Sequence, residues 1–285
     1  MKRHHDSSDE EEKHSTKRVK KSESDSGPED FGKYLCAVRQ DAIAKARQLE
    51  LKQRNEAHRR SCTKAQLKNQ QEKRVGQVRC AKQVHFRAPK GVDKSFPLTP
   101  GFTNVSVCSG SRTGKVVSPM VLGPIDYEDD HTNGIVSVTN LENLWQFSKV
   151  WEGEDDPVTG EPLPVFFERR AQGFANVKGV RHVKKGNGPN PNVPLYSYWK
   201  GKHLSYLEGR REIYCPLYAE LASQTVFFHQ LRQRLNQGEN LQIIGYDGYD
   251  IGDRSLRDCF LDTSRPFGHE LVLVCLLRGE APWKE

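Results

Sequence analysis

The stretch Leu241-Gln242-Ile243-Ile244 decides the fold, because three large aliphatic side chains in four residues are typical of a buried strand. A loop rich in Gly, Asp and Tyr follows it at 245–252. The segment 204–235 has a helical pattern, and we expect it to break at Cys215-Pro216, because proline lacks the backbone donor. The apolar run 271–277 is a buried helix or strand. We therefore predict an α+β fold with a mainly helical C-terminal domain and a small sheet.

Charge is unevenly distributed along the chain. The 285 residues have a formal net charge of +7, yet residues 1–90 hold 23 Lys and Arg against 13 Asp and Glu. Residues 1–30 have almost no apolar side chain to bury, so we expect them to be disordered. Residues 31–83 are rich in helix formers and predict a basic helical arm. Prolines and glycines at 84–101 indicate a linker, and the folded domain is expected at 102–285.

The basic N-terminal region predicts a location and a partner. The cluster Lys17, Arg18, Lys20 and Lys21 has the composition of a nuclear-import signal, so we expect the nucleus, with the cytoplasm as the alternative. The positive charge of residues 31–90 would attract the phosphate backbone of nucleic acid without reading its sequence. The alternative is a solvent-exposed helix that only tethers the domain.

The sequence does not indicate a membrane protein or a metal-binding protein. The longest apolar run, Leu271–Leu277, is far shorter than the ~20 residues that a bilayer-spanning helix needs. An apolar segment typical of a secretory signal is also lacking at the N-terminus. The cysteines and histidines show neither a C-x-x-C nor an H-E-x-x-H spacing. We expect no metal and no cofactor, and the sequence does not indicate an oligomeric state.

The spacing of Glu142, Gln146 and Lys149 places all three on one face of a predicted helix, Leu141–Trp151. Thr139 or Asn140 is expected to cap its N-terminus. A carboxylate, an amide and an ammonium group beside aromatic residues fit acid–base chemistry and phosphate binding. The alternative is an ordinary polar helix face with weak ion pairs.

The pattern Glu142-x-x-x-Gln146-x-x-Lys149 resembles the signature helix of the NADAR group of N-glycosidases, which act on ADP-ribose-type and related ribosylated substrates. Later features come in the same order as in that group, namely Lys184-Lys185, Trp199, Arg210-Arg211, Leu241–Ile244, the loop Tyr246–Gly252 and Gly268-His269. The chain from Ser118 onward also resembles a set of uncharacterised phage and bacterial proteins.

The resemblance implies hydrolysis of an N-glycosidic bond in an ADP-ribose-linked or nucleotide substrate. It implies that Glu142 acts on the ribose and on water, and that Asp247 binds hydroxyls. It further implies that Lys149 and one of Arg210 or Arg211 bind phosphate and that a base stacks on Trp199. The full substrate-binding set that it implies is Gln146, Lys149, Trp199, Arg210, Arg211 and Asp250. The alternative is a non-catalytic nuclear protein that binds nucleic acid or a nucleotide, or a scaffold whose active site has decayed.

The residues themselves leave ordinary structural roles open for several members of this set. Asp247-Gly248 is also a common turn sequence. Trp199 is equally consistent with a core aromatic residue, and Arg210-Arg211 with a solvated helix face.

Overall fold

The fold is α+β, as the sequence predicts. The structure, a computed structural model, describes residues 28–83, 97–181 and 193–284. The chain divides into two compact units, residues 1–53 and residues 54–285.

Several predicted features lie outside the described residues. These are the import signal at 17–21 with the rest of the tail up to residue 27, residues 84–96 of the predicted linker, and the Lys184-Lys185 pair.

The described residues form eight α-helices and eight strands. The helices are α1 Pro28–Gln71, α2 Leu141–Phe147, α3 Pro164–Phe174, α4 Tyr206–Gly209, α5 Cys215–Ser223, α6 Val226–Asn236, α7 Leu256–Leu261 and α8 His269–Arg278. The strands are β1 Val78–Lys82, β2 Thr103–Ser106, β3 Ile125–Asp129, β4 Gly134–Val138, β5 Lys149–Val150, β6 Tyr196–Trp199, β7 Lys202–Leu204 and β8 Leu241–Gly245. A π-helical turn, Arg210–Tyr214, joins α4 to α5.

Helix α1 covers most of the basic helical arm predicted at 31–83, because strong helix formers continue to residue 71 without a proline after Pro28. Its last turns belong to the second unit. There the side-chain amide of Asn69 donates to the Gly238 carbonyl at 2.8 Å, which fixes the end of the helix to the loop before β8.

A parallel sheet in the order β1-β8-β2 lies at the centre of the second unit. Cys80 of β1 and Val105 of β2 both pair with Ile243, so the strand predicted at 241–244 is the middle strand. A middle strand covered on both faces is buried, and β8 is buried along its whole length. The compact unit therefore reaches back to residue 54 and does not begin at 102, since β1 belongs to this sheet and not to a separate basic arm.

The apolar run at 271–277 is helical and forms most of α8. Residues 269–275 are all buried, and the helix packs against β1, β8 and α5. It ends at Gly279, which adopts the left-handed conformation (φ 77°) that glycine permits without a side-chain clash. Helix α8 thus covers one face of the central sheet and directs its first residues toward the carboxyl end of β8.

The helical segment predicted at 204–235 is interrupted once. The break predicted at Cys215-Pro216 is wrong, because the backbone stays helical from α4 through the π-helical turn into α5. The interruption separates α5 from α6, where the Thr225 hydroxyl accepts a hydrogen bond of 3.1 Å from the Phe228 backbone and caps the new helix.

Two antiparallel sheets complete the second unit. Strands β3 and β4 form a hairpin, and β5, β6 and β7 form a three-stranded sheet. Among the described residues, none of the helices combines the length and the apolar composition required to cross a membrane.

Candidate functional site

Helix α2 carries Glu142 in its first turn. The Asn140 side chain accepts a hydrogen bond of 3.0 Å from the Asn143 backbone, which confirms Asn140 as the cap. The helix ends at Phe147 and not at Trp151, because Lys149 and Val150 pair with strand β6 instead of continuing the helix. Lys149 therefore lies on a strand, just after the helix that carries Glu142.

Glu142, Gln146 and Lys149 nevertheless form one hydrogen-bonded chain. Gln146 Nε2 donates to Glu142 Oε1 at 3.0 Å, and Lys149 Nζ donates to Gln146 Oε1 at 2.9 Å. The amide of Gln146 has only one orientation that satisfies both bonds, because its oxygen accepts and its nitrogen donates. The chain fixes the Glu142 carboxylate, a buried side chain, in one position.

Lys149 lies in an apolar setting beside Trp145, with its Nζ 4.8 Å from the centre of the indole ring. Burial lowers the pKa of Lys149 to about 8, and the charge of Glu142 opposes this shift. The ammonium group does not line the cavity described next. The geometry therefore connects Lys149 to Gln146 and gives no support to the predicted contact with phosphate.

A cavity of about 180 Å³ lies where α2, the π-helical turn, the loop after β8 and the start of α8 meet. Its walls combine a carboxylate and an amide with aromatic rings and a guanidinium. The residues that matter most for its chemistry are Glu142, Trp145, Gln146, Arg181, Tyr214 and Asp247.

Four of the predicted site residues line this cavity: Glu142, Gln146, Arg210 and Asp247. Asp247 is exposed, and its carboxylate has no hydrogen-bond or ion-pair partner among the described residues, so it is available to a ligand. Its backbone N–H faces the Glu270 carboxylate at 3.4 Å.

Arg210 lines the cavity but is committed to the protein itself. The side chain is buried, and its guanidinium donates to the carbonyls of Phe260 at 2.9 Å and Asp262 at 3.0 Å, and to that of Arg265. It also contacts the ring and hydroxyl of Tyr206. The geometry therefore favours a structural role over the expected solvated or phosphate-binding one, because three carbonyls and the Tyr206 hydroxyl accept from its two terminal nitrogens.

The remaining predicted residues lie away from the cavity. Trp199 is buried and packs on Tyr127, with 4.3 Å between the ring centres, so its geometry is that of a core aromatic residue. Asp250 forms an ion pair with Arg79 at another surface. Arg211 contacts the ring of Phe260 and does not line the cavity. The predicted ligand contacts of these residues have no support from the geometry.

Arg181 is a further site residue and is absent from the set that the sequence predicts. It lines the cavity, is exposed, and lies over the ring of Tyr246 at 5.3 Å. Within the described part of the chain it has no carboxylate at ion-pair distance. The Lys-rich composition of the loop around it was the only sequence signal, and that signal pointed to Lys184-Lys185 instead.

Glu270 lies beneath the cavity, fully buried between two glycines. A Cβ atom on Gly245 would meet Glu270 Oε1 at 1.7 Å, and one on Gly268 would meet Oε2 at 2.4 Å. His269 Nδ1 lies 3.4 Å from Glu270 Oε2, while its Nε2 lies 3.0 Å from the Val107 carbonyl. Because a carbonyl only accepts, Nε2 donates to Val107, while Glu270 Oε2 has no hydrogen-bond partner among the described residues. His269 also lines the cavity, at the start of α8.

In the described ranges, residues 28–83, 97–181 and 193–284, no group of three or more His, Cys, Asp or Glu side chains is arranged to hold a metal ion. In the comparisons with known proteins, no family model, curated protein or solved structure matches the chain. The function is therefore inferred from the cavity.

Proposed function

We propose that the protein is an N-glycosidase-like hydrolase that acts on ADP-ribose-linked or nucleotide substrates in the cavity around Glu142. The observation that carries this proposal is a buried carboxylate that lines a cavity and is held in one position by Gln146 and Lys149. The resemblance of the Glu142, Gln146 and Lys149 pattern to the NADAR signature supports the same chemistry.

The size of the cavity favours one ring as the enclosed part of the substrate. An apolar cavity of about 150 Å³ holds a single benzene ring, and this cavity measures about 180 Å³. A ribose ring fits that space, whereas a whole dinucleotide does not. The remainder of an ADP-ribose unit would then lie at the rim, where Arg181 offers a positive charge to phosphate.

The proposed reaction adds water across the bond between ribose C1′ and a base nitrogen. Glu142 accepts a proton from a water molecule as the water oxygen bonds to C1′. The C1′–N bond breaks, its electron pair stays on nitrogen, and the leaving base takes up a proton from solvent. The negative charge of Glu142 also stabilises the oxocarbenium-like transition state, and Asp247 is placed to bind a ribose hydroxyl.

The test is release of the free base or nucleoside from a substrate panel by the full-length protein. ADP-ribosylated guanosine and other ribosylated bases are incubated with wild type, Glu142→Gln and Glu142→Ala, and the products are separated by chromatography. We expect turnover by wild type and a loss of at least about 100-fold in both variants. Glu220→Gln, which changes an exposed glutamate on α5, serves as the matched control. No release from the panel, or equal release by the Glu142 variants, would contradict the proposal.

A second candidate function, binding of nucleic acid, is favoured by one face of α1. Gln66, Asn69 and Gln70 all donate to the segment 237–240, so they define the inner face of the helix end. Arg60, Lys64 and Lys68 recur every four residues on the opposite, exposed face. Such a row of cations attracts a phosphate backbone without reading its sequence.

This candidate is tested by fluorescence anisotropy with a mixed-sequence DNA duplex and a matching RNA duplex over a series of salt concentrations. Because each phosphate contact releases counterions, we expect affinity to fall steeply with salt. The triple variant Arg60→Gln, Lys64→Gln and Lys68→Gln should bind more weakly and show a shallower salt dependence. Binding that does not change in this variant would exclude the exposed face of α1 as the interface.

A further inference from the structure

Tyr214 occupies an unusual position in the backbone. It is the last residue of the π-helical turn, in which the Cys215 N–H donates to the Arg210 carbonyl five residues earlier. Turns of this kind are rare and are frequent at functional sites. Both ends of this turn, Arg210 and Tyr214, line the cavity that contains Glu142.

The ring of Tyr214 is held firmly by its neighbours. Its centre lies 5.3 Å from that of Trp145 and 6.4 Å from that of Tyr218. Only 8% of the residue is exposed. The ring is therefore packed like a core residue, although the residue faces the cavity.

The hydroxyl of Tyr214 differs from those of two other tyrosines. The hydroxyl of its neighbour Tyr218 donates to the Val117 carbonyl at 2.9 Å, and that of Tyr196 donates to the Gly160 carbonyl at 2.8 Å. The Tyr214 hydroxyl has no hydrogen-bond partner in the part of the chain that the structure describes. Because the hydroxyl is also not enclosed by protein atoms, a ligand in the cavity can reach it and accept its hydrogen bond.

The protonation state of Tyr214 suits a hydrogen-bond donor. Burial raises the pKa of its hydroxyl well above the ordinary value of 10, and the charges of Glu142 and Glu270 raise it further. The hydroxyl keeps its proton throughout the physiological range. The cavity thus offers a donor at Tyr214 close to an acceptor at Glu142.

We propose that Tyr214 is a ligand-binding residue whose hydroxyl donates a hydrogen bond to an oxygen of the ribose unit in the cavity. This inference rests on the proposed function, because the enclosed ribose is part of that proposal. It adds a specificity element: the site selects a ring that presents an acceptor oxygen to Tyr214 and a hydroxyl donor to Glu142. An apolar ring of the same size would give the Tyr214 hydroxyl no acceptor and would be rejected.

The experiment compares two phenylalanine variants that keep the rings and remove one hydroxyl each. Tyr214→Phe should bind ADP-ribose about tenfold more weakly in calorimetry, the loss expected for one hydrogen bond between uncharged groups. Its resistance to urea should be unchanged or higher, because no bond within the protein is lost. Tyr218→Phe should show the reverse pattern, with lower resistance to urea and unchanged affinity, because its hydroxyl bonds Val117.

The outcomes separate this inference from the proposed function. Equal affinity of wild type and Tyr214→Phe for ADP-ribose would overturn the inference alone. Weaker binding by Tyr214→Phe together with no turnover of any ribosylated base by wild type would support the inference and contradict hydrolysis. No binding of ADP-ribose by wild type would overturn the inference, and hydrolysis would then be decided by the release assay alone.

Discussion

Gln146 donates a hydrogen bond of 3.0 Å from its side-chain amide to the carboxylate of Glu142. The bond joins consecutive turns of α2, so it is set by the helix itself. Its direction is fixed from the other side by Lys149, which donates to the amide oxygen. The position of the proposed catalytic carboxylate therefore depends on a residue that does not line the cavity.

Replacing Lys149 with methionine is expected to raise the free energy of unfolding at pH 7 and to lower turnover. The pKa of Lys149 is about 8 in the folded protein, below the ordinary value of 10.5 that applies when the chain unfolds. Below pH 8 both states bind the proton, and burial of the charge costs stability in full. Between pH 8 and 10.5 only the unfolded state binds it, so wild type gains stability as pH rises.

Urea unfolding of wild type and Lys149→Met at a series of pH values from 7 to about 10.5 measures this effect. The difference between the two proteins should shrink as pH rises, while the activity of the variant stays low because Gln146 is no longer fixed. A difference that does not depend on pH would show that Lys149 is not a buried titrating cation.

Arg181 is expected to bind the phosphates of the ligand. Arg181→Gln should weaken the binding of ADP-ribose about tenfold, because a charge-assisted hydrogen bond is lost, and should reduce the sensitivity of binding to salt. Calorimetry at two salt concentrations measures both effects. Arg211→Gln is the control, because Arg211 lies outside the cavity. If the two variants bind alike, Arg181 does not contact phosphate.

Arg210 is expected to increase the free energy of unfolding. Arg210→Lys removes the forked guanidinium that serves the carbonyls of Phe260, Asp262 and Arg265, and each buried carbonyl left without a donor costs about 1–3 kcal/mol. We expect a loss of about 3 kcal/mol or more in urea unfolding. The same change at the neighbouring Arg211 should cost less than about 0.5 kcal/mol. Similar losses in the two variants would refute the structural role of Arg210.

We expect that the space occupied by the Glu270 carboxylate requires a glycine at position 245. The methyl group of Gly245→Ala would lie 1.7 Å from Glu270 Oε1, and this carboxylate is fully buried. Overpacking of this kind costs about 1–3 kcal/mol, which thermal or urea unfolding detects. Gly110→Ala is the matched control, because nothing lies within 4 Å of the added methyl group. A Gly245→Ala protein as stable as wild type would mean that Glu270 has room to move.

The sequence predicted the elements whose signal is local. The strand at 241–244 and the α2 cap at Asn140 are examples, because an apolar run between turns and a capping side chain need no distant partner. The helix-forming composition of residues 31–83 gives no sign of strand β1, whose apolar residues are interrupted by Arg79 and Lys82. Its burial comes from pairing with β8, about 160 positions later, which composition does not reveal.

The residues of the candidate site likewise divide into those with a local sequence signal and those whose role depends on distant contacts. Helical spacing was sufficient to bring Glu142 and Gln146 together on α2. The roles of Arg210 and Trp199 depend instead on contacts with Phe260 and Tyr127, which lie about 50 and 70 positions away in the chain. The sequence gives no sign of Tyr214, because its significance lies in the π-helical turn and in a hydroxyl that no described residue binds, and neither has a sequence pattern.

The most direct test of the proposed site is a crystal structure of the full-length protein with ADP-ribose bound. We expect the ribose ring inside the cavity, with one hydroxyl at hydrogen-bond distance from Glu142 and a ribose oxygen within reach of the Tyr214 hydroxyl. A phosphate should lie beside Arg181. ADP-ribose bound at another surface, with the cavity around Glu142 empty of it, would contradict the central claim.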